Sequence, residues 1–178
     1  MTRGESDVVA AIVKWSESFI EQPHEIFGGL PVCPFARAAR LKETIRFEVR
    51  SFDMDDALED GGELLRLVGE FVKATETDGL ETLFIIHPDP TQPLSDLEAF
   101  VLRLNARLAS GHLREFQAFE AHPQSKFRVG GVYTRRSPFP SFQVLSRRLL
   151  KKGSDSLRGS PYYREFTPDM LRAVGMPR

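Results

Sequence analysis

The sequence predicts an α/β domain, a small, mainly parallel sheet of three to four strands with helices packed against it. Segments with helical spacing alternate with short runs of strand character, in the order helix, strand, helix, strand, helix, strand. That order argues for crossover connections. Thr82-Leu83-Phe84-Ile85-Ile86 is apolar almost throughout, as suits a central strand covered on both faces. The 178 residues are enough for one domain with a real core. Residues 1–178 are therefore read as a single domain, with 1–7 and 165–178 as peripheral tails.

Val8, Val9, Ile12, Val13, Trp15, Phe19 and Ile20 recur at helical spacing, so an amphipathic helix is predicted over Val8–Ile20, stopping near Pro23. Phe27-Gly28-Gly29-Leu30-Pro31 is a loop that delivers Cys33-Pro34-Phe35-Ala36, and Ala36–Lys42 is a short helix carrying Arg37 and Arg40. Ile45–Phe52 alternates apolar and polar residues, the pattern of a half-buried strand. The acidic stretch Asp53–Glu63 suits the positive end of a helix dipole, with the helix over Leu58–Thr75 and a stop at Thr77-Asp78-Gly79. After Thr82–Ile86, His87-Pro88-Asp89-Pro90 enforces a loop. Ser95 and Glu98 are spaced as a capping box for a helix to Ala109. Arg114–Ala121 is a third strand with Phe116 and Ala118 inward. It is expected to flank Thr82–Ile86 on one side, with Ile45–Phe52 on the other. Phe127–Tyr133 is an added edge strand, and Phe142–Leu150 a last regular element.

Composition excludes several classes. No apolar run approaches the ~18–20 residues that span a bilayer, and Met1–Asp7 is polar, with no secretory apolar region behind it. One cysteine, Cys33, cannot form an internal disulfide and fits a reducing cytoplasm. A net charge of −1 argues against a nucleic-acid partner. The expected partner is a small molecule, and a homodimer is the assembly considered. Phe is unusually frequent, 14 against three Tyr and one Trp. Phe has no polar tip, so these rings are expected to line a dry interior or an apolar pocket.

The charges are unevenly placed. Residues 121–154 contain no acid before Asp155, yet carry Lys126, Arg128, Arg135, Arg136, Arg147, Arg148, Lys151 and Lys152. A segregated positive field faces something anionic, or else it is a solvated basic helix at Leu145–Lys152. In such sheets ligands bind beyond the carboxyl ends of strands. His87 and His122 each close a strand before a proline, and so could meet in one pocket. Both are alternatively solvent-facing. Cys33 lies in a Gly/Pro-rich loop before Arg37 and Arg40, cations that would favour the thiolate, the form that ligates metal or attacks. Otherwise it is a small buried apolar residue. A Cys-Pro dipeptide can also present sulfur to haem iron. There is no G-x-G-x-x-G, no phosphate-binding G-x-x-x-x-G-K-[ST] and no H-E-x-x-H.

Three motifs in order, Cys33-Pro34-Phe35-Ala36, His122-Pro123 through Phe127, and Arg136-Ser137-Pro138-Phe139-Pro140, resemble an uncharacterised bacterial domain-of-unknown-function family over residues 8 to 150. No histidine follows the Ser-Pro-Phe-Pro segment here as in that family, and Gln143 stands in the region. The Phe-Ala loop with its cysteine, and Arg46-Phe47 after it, are similar to the YqcI/YcgG family, some of whose members are haem-dependent oxygenases acting on nitrogen. That resemblance implies an oxidoreductase, a haem-binding redox enzyme with Cys33 or His122 as axial ligand. Lys126, Arg128, Arg135 and Arg136 would pair the propionates. Two alternatives stand beside it. One is a non-haem iron, copper or zinc site at Cys33, His122 and His87. The other is a non-catalytic protein whose basic pocket holds an anionic metabolite. Adjacent residues of an extended segment point to opposite sides. Of Arg135 and Arg136, the second is expected to face the pocket, because it begins the Arg-Ser-Pro segment.

Overall fold

The structure is a computed structural model and describes residues 3–51, 58, 61–111 and 113–176. Helix α1 (Arg3–Trp15) buries Val8 and Ile12, one turn apart, and continues as a π-helical turn, Ser16–Ile20. The short α2 (Ala36–Leu41) leads into strand β1 (Ile45–Val49). Helix α3 (Glu63–Thr77), strand β2 (Thr82–Ile86), helix α4 (Leu94–Ala109) and strand β3 (Phe116–Ala121) follow. The predicted last regular element is two elements. Strand β4 (Ser141–Ser146) passes directly into α5 (Arg147–Ser156), whose first turn is capped by the Ser146 hydroxyl accepting from Leu149 N–H at 3.1 Å. The chain ends on a 3-10 turn, Pro161–Tyr163, and α6 (Pro168–Ala173).

The four strands lie in the order β1-β2-β4-β3. β2 is interior, as predicted, and pairs in parallel with β1, Ile45 opposite Thr82. Its other neighbour is β4, antiparallel, and β4 in turn pairs antiparallel with β3. The sheet is thus mixed and mostly antiparallel rather than mainly parallel. The expectation that Phe116–Ala121 flanks β2 is corrected by β4, which takes that place. Side-chain alternation along Ser141–Ser146 suits a strand buried on both faces, and its two open edges meet β2 and β3. Phe127–Tyr133 is no edge strand. It holds one isolated bridge, Val129 to Val132, across Gly130 and Gly131 at positive φ.

Two capping expectations also change. Helix α4 starts at Leu94 after Pro93, without a side-chain cap, and Ser95 instead donates to Asp96 at 3.1 Å. Helix α3 starts at Glu63 rather than Leu58, and most of the acidic stretch before it lies outside the described residues.

Helices α3 and α4 seal one face of the sheet. Leu67, Val68 and Phe71 of α3 and Leu97, Phe100 and Leu104 of α4 pack with Leu83, Ile85, Phe142, Val144, Phe116 and Ala118. The other face carries Phe47, Phe84, Gln143, Leu145 and Phe119, and meets α1, α2 and α5. α4 also closes the free edge of β3. Asn105 donates to the Ala118 carbonyl at 2.9 Å and accepts from the Ala118 N–H at 2.8 Å. Such pairing protects an edge that would otherwise template aggregation. Asn105→Ala should cost about 2–3 kcal/mol, two hydrogen bonds lost beside a buried backbone, read as a lower denaturant midpoint with an unchanged slope.

Candidate functional site

The second face of the sheet is not sealed. Between it and α1, α2, α5 and the C-terminal segment lies a cavity of about 590 Å³, apolar over most of its wall. Its floor is Phe47, Phe84, Gln143, Leu145 and Phe119, and its sides include Ile12, Trp15, Phe27, Cys33, Leu149, Leu157 and Tyr162. The phenylalanines divide between two places: Phe27, Phe35, Phe47, Phe84, Phe119, Phe127 and Phe166 border this space, while Phe71, Phe100 and Phe116 fill the sealed core. Lys42 and Lys152, both exposed, stand on its rim.

Local chemistry explains how the walls are held. The π-helical turn ends with Glu21 N–H bonded to the Ser16 carbonyl at 2.8 Å and swings the Glu21 carboxylate inward, its side chain only 4% exposed. Ser16 donates to it at 2.9 Å, and Arg40 of α2 grips both oxygens at 2.8 Å. The Arg40 hydrogen bonds hold the Glu21 carboxyl below its ordinary value despite burial. Such π-turns recur where a helix shapes a site. On the opposite side, Tyr162 stacks on Phe27 at 5.2 Å and donates its hydroxyl to the Val32 carbonyl, fastening the C-terminal turn beside Cys33. Gly28 makes that closeness possible: a Cβ there would lie 2.2 Å from Pro161 Cγ, at a φ of 65°.

Cys33 lies on the cavity wall, but its electrostatics reverse the expectation. Burial pushes its thiol upward, and the Glu21 carboxylate adds to that, while only the neighbouring Phe35 and Ala36 N–H groups pull it down. Arg40, expected to favour the thiolate, is committed to Glu21 and Glu17. Arg37 is exposed. The sulfur is therefore a neutral, weakly donating contact at neutral pH.

The histidines sit elsewhere. His87 and His122 close β2 and β3 at the same end of the sheet, on either side of the start of β4, and neither lines the cavity. His122 is 1% exposed. Its Nδ1 accepts from the Gln124 N–H at 3.0 Å, which places the proton on Nε2, donated to the Gln92 carbonyl at 2.7 Å. Both ring nitrogens are thus spent on tying the β2–α4 loop to the chain after β3. His87 Nδ1 faces the backbone of Asp89 and accepts from its N–H at 3.2 Å. Among the described residues, no three His, Cys, Asp or Glu side chains gather closely enough to hold a metal ion.

The basic residues divide. Arg135, not Arg136, borders the cavity. It is ion-paired with Glu120, donates to the Ala173 carbonyl at 2.7 Å and lies 4.2 Å over the Phe127 ring. Arg136 is exposed, donates to the Ser125 carbonyl at 3.1 Å and stacks 3.5 Å from Tyr133. Lys126 and Arg128 are exposed and do not border the cavity. Sequence reasoning passed over Tyr162, Tyr163 and Phe84, and named Gln143 without a role. Only the alternation of β4 could have put Gln143 on the cavity floor.

Fold and cavity together define a small α/β domain enclosing an apolar chamber against one sheet face. Over residues 8–163 the chain matches the family described as "Protein of unknown function (DUF1415)", and it belongs to that family. No curated protein and no solved structure matches it. No helix among the described residues is long and apolar enough to cross a membrane.

Because burial keeps the Cys33 thiol protonated, its alkylation by iodoacetamide should be slow at neutral pH and rise only above the pH range of an ordinary thiol. A rate profile matching free cysteine would contradict the burial argument.

Proposed function

We propose that this protein binds a small, largely apolar molecule in the cavity between the sheet and α1, α2 and α5. The size of the apolar space carries the reading. About 590 Å³ falls within the ~300–1,000 Å³ typical of small-molecule pockets. It is apolar over most of its wall and partly open to solvent, the form of a ligand cleft rather than of a packing defect. The space holds water until an apolar occupant displaces it, and release of that water from apolar walls drives binding. Nile red fluorescence should rise and saturate on adding protein. Ala39→Trp, which grows a ring from α2 into the space, should weaken that binding about tenfold or more without lowering the melting temperature. Equal affinity in the two proteins would place the dye elsewhere.

A second reading keeps the cavity and adds chemistry. It is a haem-dependent, oxygenase-like redox enzyme acting on a small polar metabolite, as the YqcI/YcgG resemblance implies. The place of Cys33 on the wall favours it. Cys33 would be the axial ligand, since among the described residues no histidine borders the cavity. The propionates would meet Lys42 and Lys152 at the rim rather than Lys126, Arg128 or Arg136. Ligation would also have to remove the proton that burial holds on the sulfur, which metal binding can do. Ferric haem titrated into the protein should then give a Soret band that Cys33→Ser abolishes. No band, or one that survives that replacement, leaves the first reading alone.

A further inference from the structure

One amide interrupts the aromatic floor of the cavity. Gln143 of β4 stands in register between Phe84 of β2 and Phe119 of β3. Beyond Phe84 lies Phe47 of β1, the two rings 5.7 Å apart. Several other polar groups on these walls are committed within the protein, Arg135 to Glu120, Arg40 to Glu21 and the Tyr162 hydroxyl to Val32, while Lys42 and Lys152 stand at the exposed rim. Among the described residues the Gln143 side-chain amide has no protein hydrogen-bond partner. Yet no fully buried side-chain nitrogen or oxygen there is left unpaired. The amide is therefore open to the cavity rather than sealed into the fold.

An amide offers an acceptor oxygen and a donor nitrogen side by side. Water satisfies both while the cavity is wet. A purely apolar occupant would strip that water away and leave both groups unpaired, a loss of roughly tenfold to a hundredfold in affinity. We infer that Gln143 selects an occupant with a matching donor–acceptor edge, of lactam or primary-amide type, on a flat and otherwise apolar body. Its paired hydrogen bonds orient that body over Phe84 and Phe119. A carboxylate fits the amide worse, since it offers no donor to the Gln143 side-chain oxygen. The inference rests on the cavity being a ligand site, as proposed above.

Three probes separate the two ideas. 2-Quinolone carries an N–H/C=O edge, 2-methoxyquinoline has the same rings without the donor, and naphthalene has neither group. The full-length protein should bind 2-quinolone about tenfold more tightly than 2-methoxyquinoline. Gln143→Met, close in shape but lacking the amide, should bring the two affinities together. In the unaltered protein, the Gln143 side-chain amide protons should move downfield with 2-quinolone, as hydrogen bonding to its carbonyl requires, and further than with 2-methoxyquinoline. This readout stands even if the variant fails to fold. Equal affinities in the unaltered protein, a preference that persists in Gln143→Met, or an unmoved amide resonance would overturn the role of Gln143. Naphthalene binding would then still leave the cavity standing as a site. If none of the three binds, the cavity reading fails and this inference falls with it.

Discussion

The cavity exists because β4 lies between β2 and β3, hydrogen-bonded along both edges. Its alternation sends Phe142 and Val144 into the sealed core, and Gln143 and Leu145 to the open face. A slip of one residue would reverse this and drive an amide into the packing of Phe71, Phe100 and Leu104. The register is set at the start of the strand. There the Pro140 carbonyl accepts from the His87 N–H at 2.9 Å, while the Ser137 hydroxyl donates to the Phe139 carbonyl at 2.6 Å. Upstream, the His122 N–H bonds the Arg135 carbonyl at 2.9 Å, and the His122 ring bonds Gln92. Residues 122–140 are thus a braced return, and the two buried histidines belong to the bracing.

The two faces of the sheet solve different problems. Two long helices on the sealed face bring their apolar stripes to the strands, and the buried cluster there runs without interruption. The open face is roofed by α2 and α5, neither of which buries a residue fully. Point contacts hold it: the Glu21–Arg40 bridge, the aromatic stack around Tyr162, and Phe35, whose ring tip would lie 3.0 Å from a Cβ at Gly153. Elements with few buried contacts open at lower free energy than a sealed core. The side of the chamber formed by α2 and α5 is therefore the one expected to open most readily.

Local patterns made much of the fold legible. The apolar run Thr82–Ile86 is interior, the alternation at Ile45–Val49 is a half-covered strand, and Asp78-Gly79 stops α3. Pairing partners were not legible. Nothing in Arg114–Ala121 says that its neighbour arrives twenty-odd residues later, and the sheet's hand of pairing turned on that. The site was hidden for a related reason. His87, His122, Cys33 and the arginines are residue types with chemistry, so the sequence drew attention to them. The chamber, however, is made by Phe, Leu and Ile drawn from all four strands, from α1 and α5, from the loop around Phe27 and from the C-terminal segment. Of the two readings of Cys33, thiolate or small buried apolar residue, the thiolate loses its support because Glu21, twelve residues earlier, takes the guanidinium that would have favoured it.

The basic stretch shows the same limit from the electrostatic side. Counted along the chain, 121–154 is a field without counter-charge; in space its arginines are largely answered. Arg135 reaches back to Glu120 and forward to the Ala173 carbonyl, Arg136 takes the Ser125 carbonyl and the Tyr133 ring, and Arg147 takes the Arg114 carbonyl at 3.1 Å and Gln117 at 2.8 Å. Carbonyl oxygens carry no formal charge, so no count of acids and bases reveals them as partners. A guanidinium, with five donors in a fixed fork, suits such bracing. An acid placed within the run would compete. Lys151 pairs with Asp155 one helical turn on, and a carboxylate at similar spacing from Arg135 or Arg147 would draw the guanidinium away from the carbonyl it holds. Bracing of this kind accounts for Arg135, Arg136 and Arg147 in the run, while Lys126, Arg128 and Lys152 stay exposed to solvent.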